Sequence, residues 1–337
     1  MQSLTSQRFE TFWNQLASPC TGKKLAIIGS EHPLNFDCLS HKHSCHFISN
    51  SKDPLREAKS LGFSISTVLK NYYDIIVLEL TKSKETNLGL LALAEEYLRE
   101  GGKMIINGDN QVGVKNFFKN ISNHWPAEIT VIKKKGRIAL YRKKKRLFEH
   151  WKKYQDFRIN KDGYYTRCDM FSPKQVDKGS QKLASTFSNK LFGDVADLGA
   201  GWGYLSKEAL RLNDTITRVT LFECNYSAYL ASKRNIDDRR ATFRWASLEN
   251  IKKLNLRFDH VICNPPFHSG RPKDIGLLRS FIFYSSKLIN CQGSVWMVFV
   301  SGVYLESQLK EYFDNVKILY KDSHYFVCQL LKPKTKR

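Results

Sequence analysis

Apolar and polar positions along the 337 residues fall into two rhythms. Short dense runs of Val, Ile, Leu and Phe, bounded by glycine or charge, read as buried strands. Stretches with apolar residues three or four apart read as helices. In the second half, VADLGAGWG (195–203) is a strand entering a glycine loop. Leu205, Ala209 and Leu212 then share a helical face. RVTLFECN (218–225), ATFRWAS (241–247), RFDHVICNPPF (257–267), GSVWMVFVS (293–301) and HYFVCQLL (324–331) are further strands, with helices predicted over 227–235 and 277–289. Strands alternating with helices imply a parallel-rich sheet covered on both faces.

The first half repeats this plan more faintly. KKLAIIGS (23–30), YYDIIVLEL (72–80) and KMIINGD (103–109) read as strands. Leu90, Ala94, Tyr97 and Leu98 form a helical stripe expected to end at Gly101-Gly102. By pattern YYDIIVLEL aligns with FDHVICNP, so the fold class is α/β, with two copies of one Rossmann-like fold in tandem. The strongest shift in composition is KKKGRIALYRKKKR (133–146), which places a domain boundary near residue 146: 1–146 and 147–337. The two copies differ at their strand ends. The first strand of the early copy ends in Gly29 alone, and Glu79-Leu80 stands where the late copy has Asn264-Pro265. The early copy therefore reads as degenerate.

Charge narrows the partners. The formal net charge of +22 attracts polyanions, and nucleic acid is the expected partner. No run of about 18 apolar residues suggests a membrane span, and no secretory signal is read at the start of the chain. A cytoplasmic protein is expected. The eight cysteines are scattered without a CxxC pair, as in reduced thiols. Cys38, His41, His43, Cys45 and His46 lie close together, but their spacing fits no zinc finger, and a surface loop without metal is expected.

The candidate chemistry lies in the second half. Asp197, Gly199, Gly201 and Gly203 stand in a glycine loop that opens a helix, and glycines there let backbone approach a ligand. Glu223 ends the next strand and is placed to accept ribose hydroxyls. A nucleoside cofactor is implied, NAD or S-adenosyl-L-methionine; the spacing GxGxG departs from the dinucleotide GxGxxG. Asn264, Pro265, Pro266 and Phe267 end the fourth strand. Two prolines cannot continue a central strand. The Asn264 oxygen and the Pro265 carbonyl can accept from an –NH₂ group, and Phe267 offers a face for a base. That arrangement points to methyl transfer onto an exocyclic amine, with no metal required. His268 is read as a solvent-facing loop residue.

These motifs carry a resemblance. The second half resembles class I S-adenosylmethionine methyltransferases. The whole chain is similar to the bacterial rRNA guanine-N2 methyltransferase family of RsmC and RlmG type, through FSPKQVDKGSQKLA (171–184), DLGAGWG, Glu223, NPPFHSG (264–270) and GDNQVGVKN (108–116). The resemblance implies a degenerate first methyltransferase-like domain that binds substrate or gives support, and a catalytic second one. It implies Asp177, Gly179, Ser180, Asp197, Gly199, Gly201, Gly203 and Glu223 at the cofactor, and Asn264 to Phe267 at the target guanine, with Asn264 also near the cofactor. The third strand ends Trp245-Ala246-Ser247, where relatives place an acid or amide for adenine; Ser247 is the candidate acceptor here. Trp202 is bulky for such a loop. The implied partner is rRNA or a ribosomal subunit, most directly 16S rRNA, and a monomer is expected. Residues 133–146 and the terminal KPKTKR are candidate phosphate contacts.

Three other readings stay open on the residues alone. The substrate is large-subunit rRNA; it is a glutamine amide of a release factor, although such enzymes usually carry Tyr in place of Phe267; or it is DNA, for which no recognition insertion is found. A non-catalytic RNA-binding role describes the first half best.

Overall fold

The computed structural model describes residues 3–16, 22–39, 44–252, 254–266, 272–301 and 306–334. The chain divides into two compact units. One comprises Met1–Asp156 with Arg167–Asp169, the other Phe157–Thr166 with Met170–Arg337.

The first unit runs α1 (Leu4–Gln15), β1 (Lys24–Ile28), β2 (Ser44–Ile48), α2 (Lys52–Ser60), β3 (Ser64–Ser66), β4 (Tyr73–Glu79), α3 (Lys84–Tyr97), β5 (Leu98–Asp109), α4 (Val114–Ser122), β6 (Ile129–Lys133) and β7 (Gly136–Arg142). Its sheet has the order β3-β2-β1-β4-β5-β7-β6. The second unit opens with a two-stranded ribbon of β8 (Arg158–Ile159) and β9 (Tyr165–Thr166). It continues through α5 (Lys178–Ala184), β10 (Gly193–Leu198), α6 (Tyr204–Leu212), β11 (Ile216–Glu223), α7 (Tyr226–Asn235), β12 (Ala241–Trp245), α8 (Leu248–Lys252) and β13 (Phe258–Cys263). It ends with α9 (Pro272–Leu288), β14 (Ile289–Val300), α10 (Glu306–Tyr312), β15 (Phe313–Lys321) and β16 (Tyr325–Pro333). Its sheet order is β12-β11-β10-β13-β14-β16-β15. Position by position this is the order of the first sheet, so the tandem α/β architecture read from the pattern is the architecture found. In each sheet five strands are parallel and the last two are antiparallel additions.

The period of two along each strand explains the layers. Val195, Val219, Leu221, Ile262 and Trp296 pack on one face of the second sheet. Ala196, Leu198, Phe222, Val261 and Met297 pack on the other. Both faces are buried, as a parallel sheet requires.

Several expectations need correction. The line between the units falls near residue 156, not 146. Phe148 is fully buried in the first core, and the Glu95 carboxylate accepts from the backbone N–H groups of Leu147 (2.8 Å) and Phe148 (2.9 Å). In the basic run at 133–135, Lys134 and Lys135, at φ 51° and 55°, form the tight turn between β6 and β7. The α3 stripe stops at Tyr97, and Leu98 already belongs to β5. Strands β2, β3, β6 and β15 were not foreseen, because they are short or mostly polar. On α6, Leu205, Ser206, Ala209 and Leu210 are buried, while Leu212 is only half-buried. Cys45 and His46 lie within β2, the latter bonded to Tyr73 at 2.8 Å; His41 and His43 lie outside the described residues. Among the described residues no His, Cys, Asp and Glu group is arranged to hold a metal, and no helix is long and apolar enough to cross a membrane.

Candidate active site

The carboxyl ends of β10, β11 and β13 stand side by side in the second sheet. They bring together most of the residues singled out in the sequence. Gly199, Gly201 and Gly203 all have positive φ, at 70°, 56° and 95°. At Gly203 an added Cβ would stand 2.9 Å from Ile236, so the start of α6 packs closely on the end of α7. At Gly201 an added Cβ would meet nothing within 4 Å. The loop there borders open space, and its backbone is the surface presented to it.

Two acids flank this loop. Glu223 is buried, and its oxygens accept from the N–H groups of Gly201 and Asn225, both at 2.7 Å. Together with contacts from Cys224, these bonds fix the carboxylate in one orientation. Asp197 is 0 % exposed. One of its oxygens accepts from the Ser206 hydroxyl at 2.7 Å, and the other has no partner among the described residues. Burial, reinforced by the charge of Glu223, pushes the Asp197 carboxyl up to about 7, and burial likewise raises Glu223. Two buried acids and an orphaned acceptor form a site that a cationic group would stabilise. Behind a bare glycine cradle, this set fits S-adenosylmethionine.

Asn264 follows β13 directly. Its amide nitrogen donates to Asp177 Oδ2 at 2.9 Å and to Ser180 Oγ at 2.8 Å. A carboxylate only accepts, which fixes which way the amide faces. Both N–H groups point inward, so the group turned toward a ligand is the oxygen. Asp177 is itself fixed, because it caps α5 by accepting from Ser180 N at 2.8 Å. Gly179 is buried in the first turn of that helix. Asp177 and Ser180 thus act on Asn264. Pro265 is buried and Pro266 exposed. Phe267 and His268 lie outside the described residues.

Ser247 lies just past the end of β12, where the Ala246 N–H donates to the Glu223 carbonyl at 2.9 Å; it is 1 % exposed, and its hydroxyl donates to Asn250 at 2.9 Å. Sequence reasoning missed Ser206 and Asn235, which carry no motif signal. Asn235 donates to the carbonyls of Trp202 (2.8 Å) and Tyr165 (3.0 Å). Trp202, odd by size, is buried and donates its indole N–H to the Phe171 carbonyl at 2.9 Å. It ties the segment before α5 to the glycine loop, with Tyr164, Met170 and Val176 packed around it.

Residues 163–329 match the model of the methyltransferase small domain family. The matched residues span nearly all of the second unit. Along most of its length the chain is similar to ribosomal RNA small subunit methyltransferase C of Haemophilus influenzae, at 26% identity over 283 residues, covering 82% of each chain. It is similar to the Actinobacillus succinogenes protein of the same name at 27% identity, covering 81% of this chain and 84% of that one. In three dimensions it is similar to the T. thermophilus 16S rRNA N2 methyltransferase RsmC solved with AdoMet and guanosine. That match has a TM-score of 0.80 at 19% identity and covers 98% of this chain and 91% of that chain. The likeness extends through the first unit, so both sheets belong to the shared architecture, and the family match falls on the second of the two.

Proposed function

We propose that this methyltransferase transfers a methyl group from S-adenosylmethionine to the exocyclic N2 amine of a guanine in 16S rRNA, as a cytoplasmic monomer acting on the RNA or the small subunit. The observation that carries the reading is the Asn264 amide, turned outward by Asp177 and Ser180 beside a buried acidic pocket. Gly199, Gly201, Gly203, Asp197 and Glu223 would hold the cofactor. When bound, it supplies an electrophilic methyl group on a cationic sulfonium.

The rest is done by the chain. A guanine amine is a weak nucleophile, because its lone pair is conjugated with the ring. The Asn264 oxygen and the Pro265 carbonyl each accept one of its N–H bonds, which fixes the nitrogen and turns its lone pair out of the ring plane. Pro265 has no N–H to compete for the amine. Positioning of this kind supplies most of the acceleration in a reaction between two held partners. The target base must leave its stack to arrive there, which loops and bulges of folded RNA permit.

The test is methyl transfer from labelled S-adenosylmethionine to three substrates: small subunits, large subunits and a release factor. Label recovered as N2-methylguanosine from 16S rRNA is the expected result. Label confined to large-subunit RNA or to the release factor would overturn the substrate, and none on any of the three would overturn the function.

A further inference from the structure

We propose that the second unit carries an RNA-phosphate site away from the methyl-transfer centre, in a cleft walled by Arg218, Arg244 and Arg257. The inference rests on the RNA reading above. Sheet faces in this architecture are buried under helices and read apolar. The outer part of β11 and β12 breaks that pattern. Arg218 and Thr220 on β11 share a face with Thr242 and Arg244 on β12, with Thr220 directly beside Thr242. Of that row on β11, only Phe222 joins the core. Arg257 and Phe258, where the chain enters β13, close the remaining wall of the cleft.

Three arginines and two threonines line it together with Leu256 and Phe258, and it contains no carboxylate. Arg218 is tethered by an ion pair to Asp194, which stands outside the cleft. Arg257 gives one N–H to the Leu256 carbonyl at 3.1 Å. Neither Arg244 nor Arg257 forms an ion pair among the described residues. Arginines that only solvate a surface have no reason to converge on one concavity free of acids. Guanidinium groups arranged in this way match the oxygens of a phosphate.

The position suits a polymer whose target base sits at Asn264. Arg244 precedes Trp245, which pairs with Glu223. Arg218 lies five residues below that acid, about 16 Å at the usual strand rise. Three strand spacings, about 14 Å, separate β12 from β13. The cleft therefore starts beside the active end and leads away from it, over a distance that flanking nucleotides span. Phosphate contacts of this kind fix register and carry no sequence information.

The test is equilibrium binding of a fluorescent 16S rRNA transcript, measured against salt, for wild type and the Arg244→Gln/Arg257→Gln double variant. Affinity is expected to fall at least ten-fold at low salt. The slope of log K against log salt should shrink by about 1.4 to 1.8, the loss of two phosphate contacts. The Kd for S-adenosylmethionine and the rate at saturating RNA should stay at wild-type values. An unchanged slope overturns the site. Should the double variant fold poorly, each single variant must lose about half of that slope, and the Arg244→Lys/Arg257→Lys pair must keep it. The methylation reading is scored separately, because binding needs no turnover. Wild type that binds with the arginine-dependent slope but labels no RNA sinks methylation and leaves the cleft standing. Label with an unchanged slope does the reverse, and failure to bind the transcript at all sinks the cleft.

Discussion

The two units share a scaffold down to single hydrogen bonds. In the first, the Asp74 carboxylate accepts from the backbone N–H of Lys24 at the start of β1, at 2.9 Å. In the second, Asp259 accepts from that of Asp194 at the start of β10, also at 2.9 Å. They part at the carboxyl ends of their strands. The second unit has an open glycine loop and two buried acids with no Lys or Arg paired to them among the described residues. The first fills the corresponding end with its own helix α1. Arg8, 2 % exposed, donates to Asn107 Oδ1 at 2.8 Å, to Asp109 Oδ1 at 2.7 Å and to the Lys134 carbonyl at 3.0 Å. Glu79, in the place of Asn264, is half-buried with one carboxyl oxygen out of solvent, and desolvation pushes it up to about 7. It accepts from Asn35 at 3.2 Å. One unit carries a built-in cation at its strand ends. The other keeps an acidic pocket open for a cation supplied from outside. What differs is the content of the strand ends; the sheet is the same.

The comparison breaks most sharply if its halves are exchanged. Asn264→Glu gives the second unit the first unit's residue and puts a charge where an amide oxygen should meet an amine. The turnover rate is expected to fall by about 10²- to 10³-fold, with S-adenosylmethionine still bound. Activity within ten-fold of wild type would remove Asn264 from the chemistry. The complementary change is Arg8→Met, which strips the first unit of its cation and leaves buried polar partners unmatched. A loss of about 2–3 kcal/mol in the unfolding of that unit is expected. Calorimetric titration should still count one S-adenosylmethionine per chain. A count of two would show that Arg8 alone closes a latent site. Asp177→Asn is gentler. Asparagine caps a helix as well as aspartate does, so stability should hold. The Asn264 amide, however, loses its carboxylate anchor, and turnover should drop between about 10- and 100-fold with cofactor affinity unchanged. Equal losses in turnover and cofactor affinity would make Asp177 a cofactor residue, as the sequence motif implied.

Much of this was legible in the amino-acid pattern, for physical reasons. Central strands such as 195–198 and 259–263 are dense apolar runs, and the site grew from motifs whose backbone demands are visible: glycines with positive φ, and prolines that stop a strand. Edge strands are less legible. β15 reads FDNVKILYK, with few positions buried, so its apolar signal is weak. The roles of Asp177 and Ser180 were hidden because they act through Asn264, 87 and 84 residues away in sequence. Arg8 was missed for the same reason: its partners Asn107 and Asp109 lie about a hundred residues on, at separations of 99 and 101. Trp202 showed only as an anomaly of size, since its purpose is a bond to the Phe171 carbonyl.

The smallest expected effect sharpens the contrast between a pocket with a cation and one without. In the second unit Asp197 is held up to about 7, first by burial and then by the charge of Glu223. Its folded value lies above its unfolded one, so the folded state binds the extra proton. The stability of the ligand-free unit therefore declines as pH rises from about 4 to about 7 and levels off above that. A cationic cofactor favours the ionised acid and displaces the proton. Affinity for S-adenosylmethionine should then rise about ten-fold between pH 6 and pH 8 and flatten beyond. Calorimetry in two buffers of different ionisation enthalpy should show about half a proton released per cofactor at pH 7 and almost none at pH 9. Glu79 is raised as far in the first unit but already faces Arg8, so the cofactor should leave its titration unmoved. Affinity that is flat in pH, or proton uptake on binding, would mean that Asp197 is ionised before the cofactor arrives, and the contrast between the two pockets would then rest on shape alone.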